Sequence, residues 1–126
     1  MVSLEKNPEL SEHAKKNISS FNASLLDLID LVAIDTLEYI KAYEGDPFDF
    51  VFFDADLNQR ASEFQLLLDG GHLSRGAVCI FHDTSSLRDN NAALNKAIKD
   101  FCEDSGCERL ICPLSRGLTV LRIPEQ

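Results

Sequence analysis

Two apolar runs in this chain stop at clusters of polar residues that can do chemistry. Phe50-Val51-Phe52-Phe53 gives way to Asp54-Ala55-Asp56, and Ala77-Val78-Cys79-Ile80-Phe81 gives way to His82-Asp83-Thr84. Carboxylates bind cations and accept hydrogen bonds. An imidazole titrates near neutrality, so His82 has the chemistry of a general base. For any single Asp the plain alternative is a helix cap or a turn residue. For His82 it is a packed, hydrogen-bonded strand end. Two strands that each deliver an acid at the same end point to a site rather than to two incidental caps.

The elements that must position these groups follow from the runs themselves. A run that is apolar at every residue suits a strand covered on both faces, as in a parallel sheet flanked by helices. Such sheets place their chemistry just beyond the carboxyl ends of the strands. Around the two runs the chain alternates. Val2 to Glu5 reads as a short strand. Asn7-Pro8-Glu9 is a cap, a first-turn proline and a first-turn acid, so a helix runs from about Pro8 to Ser20 with Leu10, Ala14 and Ile18 inward. A connection over 21–27 precedes a strand over Leu28 to Ile34, which ends at Asp35. A helix follows over Thr36 to Tyr43, stopped by Gly45-Asp46-Pro47. After the strand Phe48 to Asp54, a helix spans Asn58 to Leu68 with Ala61, Phe64, Leu67 and Leu68 as its stripe. Leu73 to Gly76 reads as a turn feeding the strand Ala77 to Phe81. Thr84 to Asn91 is polar loop, with Asn90 or Asn91 as a cap for a helix over Ala92 to Glu103. Arg109 to Cys112 and Leu118 to Ile123 form a closing antiparallel pair around Pro113 and Gly117. The expected fold is α/β: a Rossmann-like, doubly wound, mostly parallel sheet with an antiparallel C-terminal edge pair.

Composition narrows the function classes. With 126 residues the chain makes a single domain, 1–126, with room for a core. The formal net charge of −9 argues against a nucleic-acid backbone or an anionic membrane as partner, since both need a basic surface. No apolar run reaches the roughly 20 residues of a membrane helix. No basic segment followed by an apolar core marks a signal peptide. The four cysteines, Cys79, Cys102, Cys107 and Cys112, show no C-x-x-C spacing and no nearby His, which argues against zinc. Reduced thiols and a cytoplasmic location are the expectation.

The motifs resemble a known family. Leu4-Glu5-Lys6-Asn7-Pro8-Glu9-Leu10 with Ala14-Lys15-Lys16-Asn17 looks like the second strand and following helix of class I S-adenosylmethionine-dependent methyltransferases. Asp49 to Asp56 resembles the fourth strand of the small O-methyltransferases of the catechol and caffeoyl-CoA type. Gly70-Gly71-His72-Leu73 followed by Ile80-Phe81-His82-Asp83 resembles their fifth-strand region, and Gly117-Leu118-Thr119-Val120-Leu121-Arg122 their last strand.

The resemblance implies roles. Glu5 matches the acid that binds both ribose hydroxyls of S-adenosylmethionine. Asp35 matches the residue beside the adenine ring, and Asp54 stands at the cofactor's reacting end. Asp54, Asp83 and Thr84 match the ligand positions for Mg²⁺ or another divalent cation, and hard oxygen donors suit such an ion. The acceptor it implies is a small hydroxylated molecule, whose oxygen attacks the cofactor's methyl group. Asp54 and His82 are then the catalytic candidates. Three departures stand out. Thr84 replaces the Asn of the metal enzymes. Leu57 falls where their catalytic Lys is expected, and His82 is then the candidate base in its place. None of the six glycines forms the G-x-G turn that follows the family's first strand.

That first central strand and its glycine-rich turn would precede Met1, so the chain reads as truncated. Its absence would leave two half-sheets with unpaired inner edges, which direct pairing of the flanking strands or a homodimer with strand exchange could satisfy. Two other readings compete. One is a non-catalytic module of the same fold. The other is a phosphoacceptor receiver domain, which needs an acidic pair after its first strand and a Lys after its fifth. Only Glu5 is offered for the pair, and no Lys lies near the last strands.

Overall fold

The computed structural model describes residues 1–85 and 91–125. The chain divides into two compact units, Met1–Tyr43 and Glu44–Gln126.

The first unit contains β1 (Val2–Leu4), α1 (Pro8–Asn22), a 3-10 turn (Ala23–Asp27), β2 (Asp30–Val32) and α2 (Thr36–Lys41). β1 and β2 pair in parallel, with Val2 opposite Asp30 and Leu4 opposite Val32. Asn7 caps α1 by accepting from the Glu9 amide at 2.9 Å, and Pro8 opens the helix as expected. No residue of α1 is fully buried. Ala14 and Ile18 are half-buried, while Leu10 is exposed, against expectation. The connection over 21–27 is the end of α1 plus the 3-10 turn, which Asn22 caps by accepting from the Ser24 amide. The strand expected over Leu28 to Ile34 shrinks to three residues because β1, its partner, offers only three. α2 ends two residues earlier than expected, and Ile40 is its buried residue.

The second unit contains β3 (Phe48–Phe53), α3 (Arg60–Asp69), β4 (Leu73–His82), α4 (Ala92–Ser105), β5 (Glu108–Cys112) and β6 (Leu118–Arg122). Its sheet has the order β3-β4-β6-β5. β3 and β4 run parallel, with Phe53 opposite Phe81, and β6 runs antiparallel to both β4 and β5. The expected antiparallel pair at the end of the chain is present, and β6 attaches it to the parallel strands. Among the described residues β1–β2 and β3–β4 pair in parallel, and β4–β6 and β5–β6 pair antiparallel. β1–β2 and β3-β4-β6-β5 are separate sheets among the described residues.

Two expectations here are corrected. The stretch Leu73 to Gly76 is strand, not turn. Gly76 lies at φ +73° and donates its amide to Ile123, so β4 continues through an irregularity where the register against β3 shifts between Phe48 and Phe50. Second, β3 is not covered on both faces. Phe53 is buried, but Phe50 and Phe52 are 55% and 54% exposed. The covered face carries Phe53, Ala77, Cys79, Phe81 and Leu121, all buried. Phe53 and Phe81 stack at 4.4 Å, and Phe64 of α3 meets both edge-on and also meets Phe101 of α4 at 5.7 Å. Each buried phenyl ring stabilises by roughly 1.5–3 kcal/mol through burial alone. This aromatic cluster fixes the C-terminal ends of β3 and β4, from which the polar residues emerge.

Candidate functional site

The parallel register that places Phe53 opposite Phe81 brings the next residues, Asp54 and His82, side by side. Asp54 Oδ1 lies 2.8 Å from His82 Nδ1. Both side chains reach solvent, His82 at 35% and Asp54 at 55%. A carboxylate at Nδ1 favours the tautomer that carries its proton there, which leaves Nε2 as the ring's accepting nitrogen. This is the arrangement of a general base held by an acid.

Asp83 behaves differently. Its backbone sits at φ +58°, a left-handed conformation that Asp tolerates better than most residues. Its buried carboxylate is gripped by the Nε and Nη2 groups of Arg116. That hydrogen bonding, with the attraction of the charge, raises the Arg116 pKa above its ordinary value. Asp83 Oδ2 also lies 3.8 Å from His82 Nδ1. Thr84 is buried, and its hydroxyl accepts from Thr119 at 2.9 Å.

The backbone that turns away from β4 is held by a buried polar cluster that the sequence reading missed. Arg60, at the start of α3, is fully buried and donates to the His82 carbonyl, to the Asp83 carbonyl at 3.2 Å and to Asn91 Oδ1 at 2.7 Å. Asn91 in turn donates to the Asp83 carbonyl at 2.6 Å and to the Ser85 carbonyl at 2.9 Å. The expected capping role of Asn91 is therefore not seen. It precedes α4, but its side chain makes no cap bond. Asn90 lies outside the described residues. A signal for Arg60 was available. Residues 60, 64 and 67 share one helical stripe, so an arginine in line with Phe64 and Leu67 must point inward.

A divalent cation at the expected ligands is not supported by this arrangement. The Asp83 carboxylate is occupied by a guanidinium and the Thr84 hydroxyl by Thr119. Among the described residues no group of three or more His, Cys, Asp or Glu side chains could hold a metal ion. The expected metal site at Asp54, Asp83 and Thr84 finds no support in this arrangement.

The remaining expected site residues belong to the first unit. Glu5 follows β1 directly, donates its amide to the Val32 carbonyl and accepts from the Asn7 amide at 2.8 Å through Oε1. That bond steadies the side chain at the strand end, and a carboxylate keeps capacity for further donors such as a diol. Asp35 is the N-cap of α2, accepting from the Leu37 amide at 2.9 Å. The structure thus shows the capping alternative for Asp35.

The sequence matches no family model and no curated protein. Solved structures are similar. A methyltransferase from Podospora anserina, solved with S-adenosylhomocysteine, is 22% identical with a TM-score of 0.76, over 97% of this chain and 59% of that one. An O-methyltransferase from Bacillus cereus, in complex with S-adenosylhomocysteine, is 25% identical with a TM-score of 0.67, over 97% and 61%. The O-methyltransferase TomG from Streptomyces achromogenes, involved in tomaymycin synthesis and solved with S-adenosylmethionine, is 19% identical with a TM-score of 0.65, over 98% and 61%. The chain spans about three fifths of the length of these enzymes. Over that span it has the Rossmann-like fold of the class I O-methyltransferases.

Proposed function

We propose that this chain is the acceptor-side part of an S-adenosylmethionine-dependent O-methyltransferase for a small hydroxylated molecule, with residues 1–126 forming one methyltransferase-like domain. The observation that carries this reading is the Asp54–His82 pair at the ends of adjacent parallel strands. When bound, the cofactor supplies an electrophilic methyl group on a sulfonium. His82 takes the proton from the acceptor hydroxyl at Nε2, and Asp54 stabilises the imidazolium so formed. Arg60 and Asn91 hold the backbone that aims His82, and Arg116 fixes Asp83 beside it. In the first unit Glu5 receives the ribose hydroxyls, and Asp35, while capping α2 through Oδ1, stands by the adenine. A cytoplasmic location fits a chain in which no described helix is long and apolar enough to cross a membrane. Assembly as a homodimer, with strands exchanged, belongs to the same reading and would cover the exposed edge strand β3.

Calorimetric titration of the chain with S-adenosylhomocysteine, with and without Mg²⁺, tests the assignment. Micromolar binding that is independent of Mg²⁺ and lost in Glu5→Ala is the expected result. Absence of binding at millimolar ligand by a folded chain would overturn it, and a non-catalytic module of the same fold would then stand.

A further inference from the structure

Two of the four cysteines meet across the end of α4. Cys102 lies in the last turn of the helix. Gly106 closes that turn at φ +69°, donating its amide to the Cys102 carbonyl at 2.9 Å. The left-handed residue reverses the chain and brings Cys107 back over the turn it has just left. The two Sγ atoms come to 2.6 Å. Cys79, by contrast, is buried inside β4. Cys102 and Cys107 are both half-buried and within reach of small reagents.

We propose that Cys102 and Cys107 are a thiol-oxidation site: a dithiol that a small-molecule disulfide converts to an intramolecular disulfide tying the end of α4 to the segment entering β5. The exchange runs in two steps. The Cys107 thiolate attacks one sulfur of the small disulfide, forming a mixed disulfide and releasing one small thiol. Cys102 then gives up its proton and attacks Cys107 Sγ, which breaks the mixed disulfide and releases the second small thiol. Two electrons pass from the protein to the reagent, and the two protein thiol protons end on the two released thiols. The order has a physical cause. Burial first, and then the hydrogen bond with Cys107, push the Cys102 thiol up to about 12, which disfavours Cys102 as the first attacking thiolate. Geometry makes the second step fast, because Cys102 already lies against its target.

The test is oxidised glutathione added to the chain of residues 1–126, followed by alkylation and mass spectrometry. The expected product has lost two hydrogens, carries no glutathione, and leaves only Cys79 and Cys112 open to alkylation after unfolding. Dithiothreitol restores all four. In Cys102→Ser the reaction should stop at the first step, with a glutathione adduct accumulating on Cys107. A lasting adduct on Cys107 in the unmodified chain, or a link involving Cys79 or Cys112, would overturn the proposal. So would an unmodified Cys107 under conditions that oxidise a model dithiol.

Discussion

Asp54 Oδ1 stands 2.8 Å from Nδ1 of His82, across the parallel pair formed by β3 and β4. The contact depends on strand register, since a slip of one residue would turn one of the two side chains to the opposite face. It fixes a tautomer that can be observed directly. In neutral His82 the proton should reside on Nδ1, readable from long-range proton–nitrogen correlation spectra of the imidazole. Asp54→Ala should shift the population toward the Nε2-protonated form. A ring already protonated on Nε2 in the unaltered chain would sink the general-base assignment. In a methyl-transfer assay the same substitution should lower turnover by about 10²-fold or more, within the usual worth of a general base.

Arg60 is the buried centre of the backbone turn after β4. It donates to the His82 and Asp83 carbonyls and to Asn91, and Asn91 donates to the same Asp83 carbonyl and to that of Ser85. Arg60→Met keeps most of the volume but removes every donor. Leaving buried carbonyl and amide oxygens without their donor costs about 1–3 kcal/mol. Urea unfolding should show a loss in that range. A loss below about 1 kcal/mol would mean that water replaces the guanidinium and that the cluster does not hold the turn.

The acids at the strand ends were legible because the runs before them are unbroken and the fold rule for parallel sheets is strong. For Asp35 a helix cap was the plain alternative to a place beside the adenine, and Asn7-Pro8-Glu9 announced α1. What was not legible has physical reasons. The pairing of Arg116 with Asp83 joins residues 33 apart in sequence, on opposite sides of a chain reversal, with no local pattern to announce it. Without it Asp83 and Thr84 read as open ligands. Gly76 read as a turn because a glycine in a strand is a rare irregularity. Phe50 and Phe52 read as buried because a two-faced apolar run does not say whether both faces are covered.

Arg116 therefore bears on metal binding. With the Asp83 carboxylate held by the guanidinium, millimolar MgCl₂ should leave the thermal midpoint unchanged, since a ligand stabilises only in proportion to its binding. Arg116→Gln removes the competing charge and should make any residual stabilisation by Mg²⁺ larger than in the unaltered chain. A rise of several degrees in the unaltered chain would restore the divalent site that the present arrangement argues against.

Gly117 lets its backbone approach the Thr84–Ser85 segment closely. It sits at φ +78°, and a Cβ there would lie 2.4 Å from the Ser85 amide nitrogen. Its carbonyl accepts from the Thr84 amide at 3.3 Å. Gly117→Ala adds backbone strain of about 1–3 kcal/mol and a clash with backbone that cannot rotate away. Chemical denaturation should report a loss of at least about 2 kcal/mol. The His82 resonances should move as well, because the displaced strand end carries the imidazole. Neutral stability together with unchanged resonances would show that the turn is looser than this contact requires.

Cys79 sets an alkaline limit on stability. Burial in β4 pushes its thiol from an ordinary value of 9.0 up to about 12. The unfolded chain releases this proton near 9, whereas the folded chain keeps it until about 12. Between those values the folded state binds more protons, so each rise in pH favours unfolding. Below 9 both states are protonated and the contribution is fully present. Stability should therefore fall between about pH 9 and 12, with a slope of up to about 1.4 kcal/mol per pH unit from this one group. Cys79→Ala loses the burial of one sulfur and is less stable at neutral pH, but its alkaline slope should be shallower. Denaturant midpoints measured from pH 8 upward separate the two effects, because the cavity cost is independent of pH and the proton linkage is not. Parallel curves for the two proteins would show that Cys79 ionises without opposition from the core around it.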